Sequence, residues 1–311
     1  MIRRENMSRE KKEKRTKRLI RPIPYKVSTL RLVVQILSFI VIFGGAVGYA
    51  ATAIVLPIRT GISNPYLIVA DAWIVLEVML ALAIVPLIAV ASISLFSLFT
   101  GRALCGWVCP FGLINDVFGW VGKKKRVSPK TSIGLWKFAL FIAMLLLFID
   151  ISIYYNELKG SSIRSSFSDF GYAPSTFIDP VTTLFGLIFW YFYHDKWPKE
   201  FIKIFYMPKF LYWRLAFLAV VIIFMLVIPR FYCRTLCPLG AIMGLCAQYS
   251  LLHLYIDKAL CDECKVCERV CPMEVPILDY VESGAIRSPL CILCLKCMEA
   301  CPKGAIKIRF R

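Results

Sequence analysis

Histidine is the scarcest of the metal-binding residue types in this sequence of 311 residues, which has only two, His194 and His253. A haem held by two histidines would use both of them, and they fall in different halves of the chain, so we expect no haem. The sequence also lacks a Ser-His-Asp set, a phosphate-binding Walker loop and a glycine-rich dinucleotide fingerprint. The sequence signals of hydrolases, P-loop nucleotidases and nicotinamide dehydrogenases are therefore absent.

Negative charge is scarce as well, with 20 acidic residues against 38 basic ones, and only 19% of residues are charged. Hydrophobic residues make up 59% of the chain, and the mean hydropathy is +0.67, whereas a soluble domain has about 45–50% apolar residues. The composition predicts an integral membrane protein. A basic arm, residues 1–30, precedes the first apolar run, and such an arm marks the cytoplasmic side of a membrane. We favour this reading over binding to nucleic acid.

Cysteine is abundant by contrast, and eight of the thirteen cysteines repeat one pattern near the end of the chain. The spacing C-x2-C-x2-C-x3-C-P runs from Cys261 to Pro272 and again from Cys291 to Pro302. It is the bacterial ferredoxin spacing for two [4Fe–4S] clusters, in which the fourth cysteine of each run binds the other cluster. The predicted ligands are Cys261, Cys264, Cys267 and Cys301 for the first cluster, and Cys291, Cys294, Cys297 and Cys271 for the second. Zinc ribbons and disulfides fit this spacing less well.

Four more cysteines belong to an internal repeat. The pattern R-x2-C-x3-C-P-x-G-x-I occurs from Arg102 to Ile114 and again from Arg230 to Ile242. It contains the pairs Cys105 and Cys109, and Cys233 and Cys237. Four thiolates at equivalent places could hold a further cluster, act as two redox-active dithiols, or bind a labile metal such as copper. We favour the dithiol or the labile metal over the cluster. Cys246 lies outside both patterns and is expected to fill the core.

Apolar runs predict about four transmembrane helices, arranged as two repeats. The predicted spans are residues 32–57, 76–99 with a kink at Pro86, 135–155, and 211–229. Residues 177–193 are also apolar, and six spans would result if they and residues 240–255 crossed. Parallel repeats place both cysteine motifs on one face of the membrane, which favours surface helices at 65–73 and 180–193 instead. Both termini are then cytoplasmic.

The predicted fold is an α-helical membrane protein with a C-terminal α+β ferredoxin domain of the bacterial 2[4Fe–4S] type. We divide the chain into four regions: the basic arm 1–30, membrane repeat 31–133, membrane repeat 134–255, and the ferredoxin domain 256–311.

The two C-x3-C-P motifs at the ends of spans, followed by two ferredoxin motifs, resemble the membrane-bound polyferredoxins of the NapH and NosR type. The resemblance covers the chain from about residue 31 onward. It implies four spans in the cell membrane, cytoplasmic termini, and electron transfer between the quinone pool and a redox partner protein, as an electron-transfer subunit of a quinol-oxidising system. Relatives with similar motifs act in cytochrome oxidase assembly, so a thiol or metal-handling role connected with copper is the alternative.

Ionisable groups inside predicted spans are candidates for function, because they are expensive to place in lipid. Glu77 lies in an apolar run, and a quinol site needs a group that accepts a proton, so we name Glu77 as the candidate proton acceptor. Asp71 and Asp150 fall near predicted span ends, where water can reach them, and are weaker candidates.

Overall fold

The computed structural model describes residues 26–46, 54–55, 58–60, 69–121, 126–160, 171–187 and 209–310. The described chain is mostly helical up to residue 247, and a small α+β unit follows it. This agrees with the predicted order of a helical part and a C-terminal ferredoxin domain. Two sequence predictions concern residues outside the described ones: most of the basic arm and the apolar residues 188–193.

The first half begins with helix α1, Lys26–Ala46, followed by a small antiparallel sheet in the order β1-β2-β3. The strands are β1 Ile54–Val55, β2 Ile58–Thr60 and β3 Val69–Asp71. Helix α2, Ala72–Ala81, starts directly after β3, where a carboxylate oxygen of Asp71 accepts a hydrogen bond from the Ile74 amide at 3.0 Å. This contact is an N-cap, which satisfies one of the free amides at the start of the helix.

Residues 82–86 separate α2 from helix α3, Leu87–Thr100, although the sequence predicts one kinked span over 76–99. Pro86 lacks an amide hydrogen and disfavours helical backbone at the residue before it, and Ala83 adopts a φ of 55°. The predicted kink is therefore a complete break. Two other expectations are also wrong: the first span does not remain helical to residue 57, because β1 lies there, and the predicted surface helix at 65–73 contains β3.

Each C-x3-C-P motif follows a long helix and has the same three-part arrangement. The first repeat consists of α3, the short helix α4, Ala103–Trp107, and helix α5, Pro110–Val121. The second consists of helix α8, Lys209–Val227, the short helix α9, Phe231–Thr235, and helix α10, Pro238–Ala247. In both repeats the proline opens the third helix, where the amide that it lacks would have no partner anyway. The sequence repeat is thus a structural repeat.

Helix α6, Pro129–Leu158, connects the two repeats and packs against α2 and α10. Its 30 residues extend about 45 Å at the rise of an α-helix. The buried side carries Ala139, Ala143 and Leu146, whereas Phe141 and Phe148 are exposed on the other side. Within the described ranges, α6 is the one helix that is long and apolar enough by itself to cross a membrane.

The described part of the segment after α6 is compact rather than one continuous helix. A 3-10 turn, Pro174–Phe177, precedes helix α7, Pro180–Thr182, which continues as a π-helical turn, Thr183–Leu187. Asp179 caps α7 by accepting hydrogen bonds from the amides of Val181 and Thr182.

The ferredoxin unit has an antiparallel sheet in the order β5-β4-β6 and two short helices. Its elements are β4 Leu252–Ile256, helix α11 Val266–Val270, a 3-10 turn Ile277–Tyr280, β5 Ala285–Ile286, helix α12 Lys296–Ala300 and β6 Ile306–Phe310. Helices α11 and α12 each contain the third cysteine of a ferredoxin motif, and each packs against the other. The two motifs therefore face one another across the unit.

Candidate iron–sulfur centres

The cysteines of the ferredoxin unit gather around two separate cavities. A cavity of about 350 Å³, its open side included, is lined by Cys261, Cys264, Cys267 and Cys301. A second cavity, of about 320 Å³ counted in the same way, is lined by Cys271, Cys291, Cys294 and Cys297. The fourth cysteine of each run thus lies with the other run, as the predicted ligand sets require. Four thiols around one cavity are the donor set of a [4Fe–4S] cluster, so the residues present fit this group.

The two cysteine loops reach around their cavities through an unusual backbone conformation. The residues immediately before and after the second cysteine of each loop have positive φ: 49° and 59° at Glu263 and Lys265, and 47° and 61° at Leu293 and Leu295. Such residues are uncommon outside glycine and cost about 1–3 kcal/mol each. Alternating left- and right-handed residues turn successive amides toward one point and form a concave anion site. This local geometry suits a negatively charged cluster.

Burial disfavours free thiolates at these positions. Loss of water contact, reinforced by neighbouring thiols, raises the pKa of Cys291 to about 12 and that of Cys271 to about 11. Burial likewise raises the pKa of Cys267 to about 12. A cysteine binds metal as the thiolate, so bound iron would supply the positive charge that these buried sulfurs need.

The four cysteines of the repeat line a third cavity, which encloses about 820 Å³ when its open side is included. Cys105, Cys109, Cys233 and Cys237 all contribute to its wall. Asp71, Asp179 and Tyr232 line the same cavity, and the Tyr232 hydroxyl donates a hydrogen bond to Asp179 at 3.1 Å. The structure therefore brings the two C-x3-C pairs together at one site.

Two buried arginines cross between the repeats at this site. Nη2 of Arg102, in the first repeat, donates to the carbonyl oxygen of Cys233 at 3.0 Å, and Nη1 of Arg230, in the second, donates to the carbonyl oxygen of Cys105 at 3.1 Å. Arg102 and Arg230 are 0% and 1% exposed. The shared geometry of the two repeats explains why each motif begins with an arginine. Each arginine donates a hydrogen bond to the backbone of the first cysteine of the other half.

The glycine of the repeat provides the space that this crossing needs. A Cβ atom at Gly240 would lie 2.8 Å from Nη2 of Arg102, and one at Gly112 would lie 2.8 Å from the Cys105 carbonyl oxygen. Both distances are too short for an ordinary contact, so a larger residue would displace the neighbouring groups. The repeated C-P-x-G sequence is therefore a close-approach motif.

The loop that carries Cys291 and Cys294 is seated directly on the repeats. Nη1 of Arg102 donates to the Pro289 carbonyl oxygen at 2.9 Å, and the Trp107 indole donates to the Leu293 carbonyl oxygen at 2.9 Å. A Cβ atom at Gly106 would lie 2.5 Å from the Ile292 carbonyl oxygen. The second ferredoxin cavity thus lies against the C-x3-C site.

Asp116, on α5, links the basic groups on one side of this contact. Its Oδ2 accepts from Nη2 of Arg230 at 2.8 Å and from Nη2 of Arg31 at 2.9 Å, and Lys296 lies 3.7 Å from Oδ1. Burial alone would raise the pKa of the Asp116 carboxyl, but Arg230, Lys296 and Arg31 outweigh it and hold the pKa at about 2. The carboxylate is therefore charged at neutral pH.

A second buried ion pair fixes the other side of the ferredoxin unit. Nη1 of Arg234 lies 2.9 Å from Oε2 of Glu274, and Nη2 donates to the Pro272 carbonyl oxygen at 2.6 Å. Ser132 contacts both partners of the ion pair, and the amide of Val127 donates to Glu274 at 2.9 Å. Pro272 follows Cys271, so this pair also flanks the second ferredoxin cavity.

Glu77 does not lie at the cysteines. It is fully buried on α2, where it accepts hydrogen bonds from the Trp73 indole at 2.7 Å and from the hydroxyl and amide of Ser175 at 2.6 and 3.2 Å. Asp150, on α6, is close enough to interact with it electrostatically and is 2% exposed rather than reached by water. Of the two histidines, His253 is buried on β4, and His194 lies outside the described residues.

Sequence reasoning missed Asp116, Glu274 and the arginine at 234. Asp116 and Arg230 are 114 residues apart, and Arg234 and Glu274 are 40 apart, so no local pattern joins them. The available signal was an acidic residue inside an otherwise apolar helix, which is what Asp116 is in α5.

Family models describe three parts of the chain. A model described as a 4Fe-4S binding domain matches residues 82–129 and again 210–253, which are the two structural repeats. A 4Fe-4S dicluster domain model matches residues 260–306, the ferredoxin unit. Iron–sulfur binding is therefore the property that all three segments share with known domains.

Curated relatives match most of the chain at low identity. An uncharacterised protein of Methanocaldococcus jannaschii is 26% identical over 237 residues, covering 75% of this chain and 73% of the relative. The ferredoxin-type protein NapH of Haemophilus influenzae is 28% identical over 244 residues, covering 72% and 68%. The regulatory protein NosR of Pseudomonas aeruginosa is 26% identical over 208 residues, covering 64% of this chain and 24% of NosR.

No solved structure matches the chain. The repeated cysteine motifs, the matched domains and the relatives agree with one another, and the resemblance predicted from the sequence is confirmed. The chain is similar to ferredoxin-type proteins such as NapH and NosR, and it shares 4Fe-4S binding domains with known proteins.

Proposed function

We propose that the protein is a membrane-bound electron carrier that relays single electrons between the quinone pool and a redox partner protein. The observation that carries this proposal is the seating of the second ferredoxin cavity on the C-x3-C site, with Arg102 bonded to both. Thiol-lined cavities in contact give electrons a path from the helical part of the chain to the ferredoxin unit. In this scheme Cys261, Cys264, Cys267 and Cys301 hold one [4Fe–4S] cluster, and Cys271, Cys291, Cys294 and Cys297 hold the other.

Exposed apolar side chains support a membrane location with four crossings. They cover α1, α3, α6 and α8, with Leu37, Ile88, Phe148 and Ile223 between 57% and 69% exposed. A soluble monomer rarely exposes so much contiguous apolar surface. In this arrangement α2 and α3 form one broken crossing, and broken helices are typical of membrane segments that line a polar site. Both C-x3-C motifs contact the ferredoxin unit, so they share one side of the membrane, and the basic arm makes that side cytoplasmic.

Glu77 is the proposed proton acceptor for quinol oxidation. It lies about one to two turns along α2 from the cavity residues Asp71 and Ile74, and Asp150 interacts with it electrostatically. Two buried carboxyls that are close together are more stable when they share a proton than when both are charged. The pair can therefore take up a proton as an electron leaves the quinol. In this proposal the protein is an electron-transfer subunit rather than a complete enzyme.

Reduction of the anaerobically purified protein in lipid vesicles tests this function. A quinol should bleach the visible absorbance of the clusters at a rate that depends on quinol concentration, and Cys105→Ser or Cys237→Ser should abolish that bleaching. Dithionite should still reduce the clusters of either variant, because their ferredoxin ligands are intact. Bleaching by dithionite alone in the parent protein would overturn the link to quinone.

Copper handling is the second candidate, because four soft thiols that line one open cavity also suit Cu(I). Tight Cu(I) binding by the iron-loaded parent, lost in Cys105→Ser and Cys237→Ser, would favour it. The quinol experiment on the same preparations separates the two functions.

A further inference from the structure

We propose that Cys105, Cys109, Cys233 and Cys237 together hold one [4Fe–4S] cluster, a third cluster shared by the two repeats. The inference deepens the proposed electron-transfer function, because it gives the chain a cluster on the membrane side of the ferredoxin unit. It does not depend on which molecule donates or accepts the electrons.

The position of the four thiols supports a shared cluster. Each repeat supplies two, and all four line one cavity, so they face a common space. The second cysteine of each pair precedes the proline-initiated helix α5 or α10, and the sulfur of Cys237 accepts from the Gly240 amide at 3.3 Å. Thiolates are stabilised at the start of a helix. Neither repeat alone provides four ligands, whereas the pair does.

The described residues provide no carboxylate partner for one buried guanidinium, that of Arg102. Arg102 is 0% exposed, and in the part of the chain that the structure describes it donates only to the carbonyl oxygens of Pro289 and Cys233. Its Nε has no hydrogen-bond partner there, and the Nε of Arg230 has none either. A buried cation without a carboxylate partner is strongly unfavourable. A cluster with four thiolate ligands has a net negative charge, and at this site it would balance Arg102.

The spacing of the possible ligands bears on whether the site holds a cluster or a single metal ion. Among the described residues, no three His, Cys, Asp or Glu side chains approach closely enough to surround one ion. This applies equally to the two ferredoxin sets, whose spacing belongs to cubanes in which every sulfur binds a different iron. In this respect the repeat thiols resemble the ferredoxin sets, and among the described residues they form no compact group of three ligands for a single ion.

The arginines connect this site to the next one in the chain. Arg102 donates to the carbonyl oxygen of Pro289, two residues before Cys291. Arg230 donates to Asp116, which also lies 3.7 Å from Lys296, two residues after Cys294. Each arginine therefore lies between the C-x3-C site and the second ferredoxin set. A positive charge there favours the more negative, reduced form of both clusters. The arginines would therefore raise the reduction potentials of the clusters without being ligands to iron.

Iron and acid-labile sulfide in the full-length, anaerobically purified protein test the proposal. The parent should contain about 12 iron atoms per chain, and the double variant Cys105→Ser/Cys233→Ser about 8, since each cubane has four. Cys246→Ser is the matched control, because Cys246 lies in none of the three sets, and it should retain the parental iron. A parent with about 8 iron atoms, or a double variant with undiminished iron, would overturn the third cluster. The parental value decides even if the variant folds poorly.

Redox titration followed by EPR gives an independent readout. Arg102→Gln should lower the midpoint potential of the signal that is lost in the cysteine double variant, and Arg102→Lys should shift it less. The cluster of Cys261, whose cavity is not lined by Arg102, should keep its potential. A parent with about 12 iron atoms that quinol does not reduce would retain the third cluster and reject the quinone link, so the two proposals fail separately.

Discussion

Arg102 and Cys233 belong to different repeats, yet the guanidinium of one is bonded to the carbonyl oxygen of the other at 3.0 Å. The reciprocal bond from Arg230 to Cys105 makes the contact two-fold. The halves of the molecule are therefore interlocked through the backbone of their first cysteines, and the position of each C-x3-C pair depends on the opposite repeat.

Gly106→Ala should loosen the seat of the ferredoxin unit. The new methyl group would lie 2.5 Å from the Ile292 carbonyl oxygen, and overpacking of this kind costs about 1–3 kcal/mol. We expect a lower unfolding temperature and slower reduction of the ferredoxin clusters by quinol, with unchanged reduction by dithionite. Gly134→Ala is the control, because a Cβ atom there has nothing within 4 Å. Equal rates in the two variants would contradict close seating.

Glu274→Gln should destabilise the protein substantially. It leaves the guanidinium of Arg234 buried without its counter-charge, and removal of one partner from a buried ion pair costs about 3–5 kcal/mol. Thermal unfolding of the anaerobic protein measures the loss. Glu282→Gln is the matched control, because its pair with Lys258 is 64–80% exposed and such pairs contribute about 0–1 kcal/mol. Similar unfolding temperatures for the two variants would show that the buried pair does not hold the unit in place.

Asp116→Asn should lower stability by an amount that does not change between about pH 5 and pH 8. The folded pKa of about 2 lies below the ordinary value of 3.8, so the carboxylate stabilises the fold above the ordinary value and loses that contribution only as the pH falls through 2. The expected difference is about 2 kcal/mol at neutral pH. Chemical unfolding of parent and variant at several pH values measures it. A difference that grows from pH 5 to pH 8 would mean that Asp116 titrates there.

Glu77→Gln should slow the reduction of the clusters by quinol, because the amide cannot accept the proton. General-base catalysis contributes about 10²–10⁴-fold, and we expect a loss in that range together with an altered pH profile. Ser175→Ala is the control, since it removes one hydrogen bond to Glu77 and leaves the carboxylate. A parental rate in Glu77→Gln, with dithionite reduction also normal, would remove Glu77 from the path.

Reporter fusions should place both termini and both C-x3-C motifs on the cytoplasmic side. Fusions after Lys125 and at Arg311 should report the cytoplasm, and fusions after Ser165 and after Lys203 the outside. The physical reason is that both motifs contact one ferredoxin unit, which cannot lie on two sides of a membrane. A cytoplasmic signal after Lys203 would mean that residues 177–193 cross, and the four-span arrangement would be wrong.

The sequence predicts best what depends on local spacing. The close spacing of Cys261, Cys264 and Cys267 predicts a cluster-binding loop. The duplicated C-x3-C-P motif predicts that the short helices α4 and α9 are equivalent. It predicts poorly what depends on distant partners. Pro86 is visible in the sequence and predicts the interruption before α3, whereas strand β3 at 69–71 depends on pairing with β2, and an apolar run gives no sign of it.

The surface that receives the ferredoxin unit is not symmetric, although the repeats that build it are. Position 106 of the first repeat corresponds to 234 of the second, and position 116 to 244; the first correspondence pairs glycine with arginine, the second aspartate with glycine. Gly106 and Gly244, one from each half, leave room for the carbonyl oxygens of Ile292 and Pro289. Asp116 and Arg234 form ion pairs with Lys296 and Glu274 of the ferredoxin unit. The ferredoxin unit itself carries two nearly identical loops, so a symmetric platform would accept it in either of two orientations. The difference between the repeats at these two positions selects one orientation, and thereby decides which ferredoxin cavity lies against the C-x3-C site.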